Sequence, residues 1–168
     1  ISQVTMPFPS YMYSCEYDTN KLMRTSLQTG KESCCYIYPH CFPDGSVWCE
    51  VPWQGIYSTG GYVGRYLDEI ININSYRDFA VVTKLRMLTP RASHGVLYHR
   101  NYLYIIGGAA HKDCLSKCER LLIKENVWEV LRCLPIPCKS MSCLAVDEAS
   151  SIYVLGGINQ DHSLDVIQ

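Results

Sequence analysis

Short apolar runs that end in paired glycines recur along the chain. They are Ile56–Thr59 before Gly60-Gly61, Leu103–Ile106 before Gly107-Gly108, and Ile152–Leu155 before Gly156-Gly157. The pairs begin at positions 60, 107 and 156, so successive pairs are 47 and 49 residues apart. Short apolar runs bounded by turn residues are typical of strands, and a period near 50 residues indicates a repeated multi-stranded unit. We therefore predict an all-β repeat protein.

Other residues keep the same period. A tyrosine stands three residues before each first glycine (Tyr57, Tyr104 and Tyr153), and a serine stands fourteen residues before it (Ser46, Ser93 and Ser142). After the second pair, Cys118–Ile123 reads as a strand, Lys124–Asn126 as a turn and Trp128–Leu131 as a second strand. Together with the two runs that precede the glycines, these segments predict one four-stranded antiparallel unit from Ser93 to Leu131.

These signatures resemble the Kelch repeat family. Its pattern of a diglycine after an apolar strand, a Trp about twenty residues later and an Arg-x-x-His entry stands here as Gly107-Gly108, Trp128 and Arg91–His94. The resemblance implies a Kelch-type β-propeller fragment of about three to four four-stranded antiparallel blades, an incomplete ring. It implies structural roles for these residues: Gly60, Gly61, Gly107, Gly108, Gly156, Gly157, Trp128, Arg91 and His94.

Each signature residue has a physical reason. A diglycine at the end of a buried strand allows positive φ and close approach of neighbouring backbone. Trp and Tyr supply apolar bodies with a polar tip, suited to packing between adjacent twisted sheets, so we expect Trp128, Tyr104 and Ile106 to be largely buried. In the last repeat, Cys138–Ser140 replaces the Arg entry.

The repeats give the domain boundaries. We predict a faint partial blade and connecting segment over residues 1–45 and Kelch repeats over 46–168, with blades at about 46–90, 91–137 and 138–168, the last incomplete. The pattern weakens around residues 30–54, where either Ser33–Tyr38 or Ser46–Val51 fits the first strand of a blade. The serine spacing favours Ser46–Val51, which leaves 30–45 as a connection with room for an extra strand.

Composition and charge narrow the class of partner. Apolar residues make up 48% of the chain, enough to bury a core. Lys and Arg number 15 against 16 Asp and Glu, and no basic run appears, so the sequence predicts neither nucleic-acid nor membrane binding. The partner is then expected to be another protein.

Ten cysteines are the unusual feature of the composition. They lie at positions 15, 34, 35, 41, 49, 114, 118, 133, 138 and 143. A disulfide framework is one interpretation, but the apolar content and the lack of an Asn-x-Ser/Thr sequon favour buried, reduced thiols and a cytoplasmic protein. Cys114 with Cys118 and Cys133 with Cys138 suggest a zinc site, yet their spacers exceed the usual two residues. We predict no metal and no cofactor.

Catalytic signatures are weak. His94 beside Arg91 suggests a general base, but its repeat position favours a hydrogen bond between blades. No phosphate loop, nucleophile elbow or His-Glu-x-x-His motif occurs. We predict that the chain is not an enzyme, and the alternative is a catalytic propeller, resembling metal-dependent oxidases of the wider family, with a site not visible here.

The loops after the diglycines are the candidate binding surface, because binding residues are commonly carried on loops over a rigid scaffold. The loops are Tyr62–Tyr66, Ala109–Lys112 and Ile158–Ser163, and the candidate contact residues are Arg65, Tyr66, His111 and Lys112. Solvated turns without a partner are the alternative interpretation. The family resemblance implies a protein-interaction module, as the substrate-recognition part of a ubiquitin-ligase adaptor or as a cytoskeleton-associated protein.

Overall fold

The computed structural model describes residues 11–15, 20–37, 42–74, 81–146, 151–160 and 162–168, and its regular elements in these ranges are all β-strands. The chain divides into two compact units, Ile1–Phe42 and Pro43–Gln168. The all-β prediction is therefore confirmed.

The first unit carries a three-stranded antiparallel sheet in the order β1-β2-β3. Its strands are β1 (Tyr11–Cys15), β2 (Lys21–Ser26) and β3 (Glu32–Ile37). Gly30, with φ of 68°, donates its N–H to the Ser26 carbonyl at 2.8 Å and closes the turn between β2 and β3. The segment in which the sequence left room for an extra strand thus contains β3, while Val47–Val51 is a strand of the second unit.

The second unit begins with a four-stranded antiparallel sheet whose strands pair in chain order. They are β4 (Val47–Val51), β5 (Gly55–Thr59), β6 (Glu69–Ile73) and β7 (Val81–Arg86). β5 is buried along its whole length, as expected of an inner strand that alternates between two covered faces.

A second four-stranded sheet repeats this arrangement and confirms the unit predicted from Ser93 to Leu131. Its strands are β8 (Gly95–His99), β9 (Tyr102–Ile106), β12 (Cys118–Leu122) and β13 (Val127–Leu131), paired in that order. Between β9 and β12, the short strands β10 (Ala109–Ala110) and β11 (Asp113–Cys114) form a separate ribbon.

The third repeat has two paired strands, β14 (Ser142–Val146) and β15 (Ser151–Leu155), and a ribbon of β16 (Ile158–Asn159) with β17 (His162–Ser163). The segment after the ribbon returns along β15, because Val154 and Gln168 exchange two backbone hydrogen bonds of 2.9 Å. This segment lies beside β15 in the position that β6 and β12 occupy in the other two repeats.

The three repeat serines are not structurally equivalent, which corrects the fourteen-residue alignment. Val47 pairs with Thr59, Gly95 with Ile106 and Ser142 with Leu155, so the equivalent positions are Val47, Gly95 and Ser142. The reason is hairpin length: three residues join β4 to β5, whereas Arg100 and Asn101, with φ of 48° and 71°, form a two-residue turn between β8 and β9.

The core lies between neighbouring sheets, and β9 contributes to both of its halves by alternation. Leu103 and Ile105 pack toward the first four-stranded sheet, and Tyr104 and Ile106 pack toward the third repeat. Tyr104 and Ile106 are buried as expected. Trp128 is only partly buried, because it lies on the outermost strand and contacts the first core cluster from its margin.

The second diglycine is both conformationally special and crowded. Gly107 and Gly108 have φ of 56° and 102°. A Cβ on Gly108 would lie 2.7 Å from the His94 Cβ and 2.9 Å from the Ala92 carbonyl oxygen. Neither atom is the end of a flexible side chain, so the backbone of the entry segment would have to move.

We expect Gly108→Ala to lower the free energy of unfolding by about 2–4 kcal/mol, since it combines backbone strain with overpacking. Gly64→Ala is the matched control: Gly64 also has positive φ, 77°, but a Cβ there meets nothing within 4 Å. The control should cost about 1 kcal/mol, the strain alone. Equal losses for the two variants in urea titrations would show that close approach plays no part.

Candidate functional site

The segment between the two four-stranded sheets is anchored to β5 by His94. Thr59, the last residue of β5, donates its hydroxyl to the Val47 carbonyl at 2.9 Å. Its oxygen then accepts from His94 Nε2 at 2.7 Å, which places the imidazole proton on that nitrogen. His94 is 2% exposed. The bond therefore joins the first sheet to the entry of the second within the protein interior.

Arg91 lies in the same segment and bonds to the first and the second diglycine. Its side chain is fully buried, and Nη1 donates to the carbonyls of Gly107 and Lys117 at 2.8 and 2.9 Å. Its backbone carbonyl accepts from the Gly61 N–H at 2.9 Å. One residue thus fixes the end of β5 relative to the end of β9.

Glu119 on β12 balances the Arg91 charge. Its Oε2 lies 3.3 Å from Arg91 Nη2, and both side chains are buried. Burial raises the pKa of Glu119, while the positive charge of Arg91 opposes the shift. A buried charge needs such partners, because an unpaired one would be expensive to desolvate.

Burial, together with the Arg91 charge, lowers the pKa of His94 to about 3. The imidazole is therefore neutral at ordinary pH and out of reach of solvent. Its geometry suits a junction between blades, and it offers no accessible base to a substrate.

The third repeat uses different side chains at the same junction. Gly108 donates its N–H to the Cys138 carbonyl at 2.8 Å, as Gly61 does to Arg91, so Cys138 takes the place of Arg91. Cys138 is fully buried, and Met141 stands where His94 stands in the preceding repeat. An apolar junction here replaces the polar one.

Two of the three predicted loops contact each other directly. The Tyr66 hydroxyl donates to the His111 carbonyl at 2.7 Å. The rings of Tyr62 and Tyr66 meet edge to face, with centroids 5.1 Å apart. Tyr66 and His111 are therefore brought together as one surface, with Arg65 and Lys112 exposed in the same two loops.

Backbone bridges fix the base of each loop. Asp44 pairs with Tyr62, Ala92 with Ala109 and Lys139 with Ile158, so every loop starts on the entry segment of its own repeat. Cys114 Sγ also donates to the Ile158 carbonyl at 3.4 Å, which links the second loop to the third. We call the residues 62–66, 109–114 and 158–160 the loop surface.

Sequence reasoning missed two contributors to the loop surface, Tyr62 and Val63, which are 44% and 54% exposed. Both lay inside a named loop. For Tyr62, the available signal was an aromatic residue directly after a diglycine, whereas nothing in the sequence separated Val63 from its neighbours.

The cysteines whose side chains are described all carry free thiols. They are Cys34, Cys49, Cys114, Cys118, Cys133, Cys138 and Cys143. Burial raises the pKa of Cys49 to about 11 and that of Cys143 to about 12, so these thiols are protonated and unreactive at neutral pH. Within the described ranges, no three His, Cys, Asp or Glu side chains are grouped so as to hold a metal ion.

Comparison with known proteins identifies a known repeat motif in the second four-stranded sheet. Residues 90–135 match the family model of the Kelch motif. Kelch-like protein 7 of Rattus norvegicus and that of Mus musculus are each 32% identical over 71 residues, which is 42% of this chain and 12% of each relative. The chain thus matches a small part of the length of these curated relatives.

The fold comparison reaches further along the chain. A solved structure described as the structure of YjhT superposes with a TM-score of 0.72 at 13% identity, covering 89% of this chain and 52% of that one. The class is therefore a partial β-propeller of four-stranded antiparallel blades. The segment that matches the Kelch motif, residues 90–135, contains the second of the two four-stranded sheets. No helix in the described residues is long and apolar enough to cross a membrane.

The lowered pKa of buried His94 predicts how the free energy of unfolding depends on pH. Above pH 6.5 the imidazole is neutral in both the folded and the unfolded chain, so its contribution is complete. As the pH falls from 6.5 toward 3, only the unfolded chain binds the proton, and stability is lost. When the pH is lowered from 7.5 to 5.0, protonation of His94 in the unfolded chain should therefore reduce the free energy of unfolding by about 2 kcal/mol.

The variant His94→Gln isolates this effect, because it keeps an N–H donor for Thr59 and removes the titrating group. The raised pKa of Glu119 acts in the opposite direction and is present in both proteins, so it cancels in the comparison. Urea titrations at the two pH values should show a smaller pH dependence in the variant. The same pH dependence in both proteins would place the titration elsewhere.

Proposed function

We propose that this Kelch-repeat chain is a protein-interaction module that binds a partner through the loop surface. The observation that carries the proposal is the Tyr66–His111 hydrogen bond of 2.7 Å, which joins the loops of two successive blades into one surface. Kelch repeats are in general protein-interaction modules, and the motif match covers the entry, the inner strands and the loop of the second blade.

The chemistry of the surface supports a protein partner. Tyr62 and Val63 offer apolar area, while Arg65, His111 and Lys112 offer donors and charge around it. An apolar centre with a polar margin, rich in Tyr and Arg, is the composition of energetically important interface positions. The bridges at the base of each loop lower the entropy cost of binding, because the loops are already ordered.

A more specific cellular role extends this proposal. A cytoplasmic module of this kind would serve as the substrate-recognition part of a ubiquitin-ligase adaptor or as a cytoskeleton-associated protein, as the Kelch resemblance implies. The near-neutral formal charge of -1 favours a protein over nucleic acid or an acidic lipid surface. That the chain is not an enzyme stays a prediction.

Photo-crosslinking from a single position tests the proposal. With benzoylphenylalanine at Val63, 54% exposed on the loop surface, we expect a discrete adduct with one protein in a cell extract. Addition of Arg65→Ala and Lys112→Ala should reduce that adduct about tenfold, because the charged margin sets recognition and approach. Mass spectrometry of the adduct identifies the partner.

The matched control carries the same probe at Val130, which is 77% exposed on the outer strand β13. It should give no adduct of that mass. Adducts of equal yield from both positions, or an adduct insensitive to the Arg65 and Lys112 changes, would contradict binding through the loop surface. Unchanged thermal unfolding of the variants excludes loss of fold as the cause.

A further inference from the structure

The first four-stranded sheet holds the entry segment of the following repeat through three backbone hydrogen bonds. The Arg91 N–H donates to the Leu67 carbonyl at 3.0 Å, and the Arg91 carbonyl accepts from the Gly61 N–H at 2.9 Å. Two residues further along the entry segment, the Ser93 N–H donates to the Gly45 carbonyl at 2.7 Å. Together these bonds seat one extended segment beside the first diglycine.

The second four-stranded sheet holds the next entry segment in the same way. The Cys138 N–H donates to the Leu115 carbonyl at 3.3 Å, and the Cys138 carbonyl accepts from the Gly108 N–H at 2.8 Å. The Ser140 N–H donates to the Ser93 carbonyl at 2.7 Å. The pattern of three bonds is therefore a property of the repeat, and it does not depend on the side chain of the entry residue.

The third repeat presents the same three backbone groups, and no described residue bonds to them. They are the Leu164 carbonyl, the Gly157 N–H and the Ser140 carbonyl. Leu164 corresponds to Leu115, because the Leu164 N–H donates to the Gly157 carbonyl at 2.8 Å, as the Leu115 N–H donates to that of Gly108 at 2.7 Å. An extended segment can pair with all three groups, which is how exposed strands recognise peptides.

The first glycine of each pair shows where the entry segment passes. A Cβ on Gly107 would lie 2.7 Å from the Cys138 carbonyl oxygen and 2.8 Å from Met141 Cε, both in the following entry segment. Of the described residues, only Leu164 comes within 4 Å of such a Cβ on Gly156, with its carbonyl oxygen at 3.4 Å. The third repeat therefore has room beside Gly156 for a segment of the same kind.

The last residue of each inner strand contacts the side chain three positions after the entry residue. Thr59 accepts from His94 at 2.7 Å, whereas Ile106 lies in the same apolar cluster as Met141. A hydroxyl is thus matched with an imidazole and an aliphatic side chain with a thioether. Leu155 occupies this position in the third repeat and is 37% exposed, so it favours an apolar side chain.

The two entry segments share a sequence pattern. Residues 90–94 and 137–141 both begin with Pro and carry Ser at the fourth position. Proline fixes its own φ and lacks an N–H, and the residue after it is the one that exchanges two bonds with the preceding repeat. The pattern that matches the third repeat is therefore Pro-x-x-Ser followed by an apolar residue.

We propose that the third repeat binds a segment of a partner protein with this pattern, in a groove formed by Ser140, residues 155–157 and Leu164. The residue after proline pairs with Leu164 and Gly157, and the serine N–H donates to the Ser140 carbonyl. The apolar side chain packs on Leu155 beside Gly156. None of these residues belongs to the loop surface, so the two proposals fail or succeed independently.

Fluorescence anisotropy with a synthetic peptide tests the proposal. The probe is fluorescein-labelled Ile-Pro-Ala-Lys-Ser-Met-Ser, the sequence of residues 136–142 with Cys138→Ala. We expect saturable binding to the chain with a dissociation constant below about 1 mM. The change Met141→Asp in the peptide should weaken binding at least about tenfold, because a carboxylate would be desolvated against Leu155. N-methylation of the peptide serine removes one donor and should cost about fivefold.

A change of specificity locates the bound peptide on the protein. Leu155→Thr introduces the hydroxyl that Thr59 offers to His94. In this variant, the peptide with Met141→His should bind about threefold more tightly than the original peptide, which reverses the order seen with the unchanged chain. Val130→Thr, at a site 77% exposed on β13, is the matched control and should keep the original order.

Three results would overturn the proposal. They are the lack of saturable binding, an affinity insensitive to Met141→Asp in the peptide, and the same peptide preference in Leu155→Thr as in the unchanged chain. Weakening of peptide binding by Arg65→Ala would place the peptide on the loop surface and overturn the proposal as well. Unchanged thermal unfolding of Leu155→Thr shows that an altered preference does not come from loss of fold.

Discussion

The arrangement of the two four-stranded sheets depends on the ion pair and the hydrogen bonds of the buried Arg91 guanidinium. Desolvating a charge costs several kcal/mol, so the side chain stays buried only because Glu119 and the carbonyls of Gly107 and Lys117 surround it. These partners belong to the second sheet, while the Arg91 carbonyl bonds to Gly61 of the first. The spacing between the sheets is thereby fixed at one value.

The glycines and the loop surface follow from that spacing. Backbone passes so close to Gly108 that a Cβ would meet the Ala92 carbonyl oxygen at 2.9 Å. Close approach at the base of each repeat also brings successive loops within reach, as the Tyr66–His111 bond shows. Between the second and third repeats, Cys138 and Met141 replace the polar pair, so dispersion and area burial hold that junction instead.

The blades present different chemistry at their two ends. The loops after the diglycines carry an aromatic and apolar centre with charged residues around it, whereas the hairpin end of the second blade gathers arginines and tyrosines around a cleft. A strand holds both ends at a fixed separation, so the cleft and the loop surface do not overlap. Loops over a stiff scaffold commonly carry the binding residues of a protein.

The sequence by itself determined the all-β class, the four-stranded repeat and the loops after Gly60-Gly61 and Gly107-Gly108, because strand patterning and glycine placement are local properties. It misaligned the serines and overestimated the burial of Trp128, since hairpin length and outer-strand position leave no periodic signal. Only the tertiary structure joined Tyr66 to His111. These residues are 45 positions apart in the sequence, and their proximity depends on how the strands pair and the sheets pack.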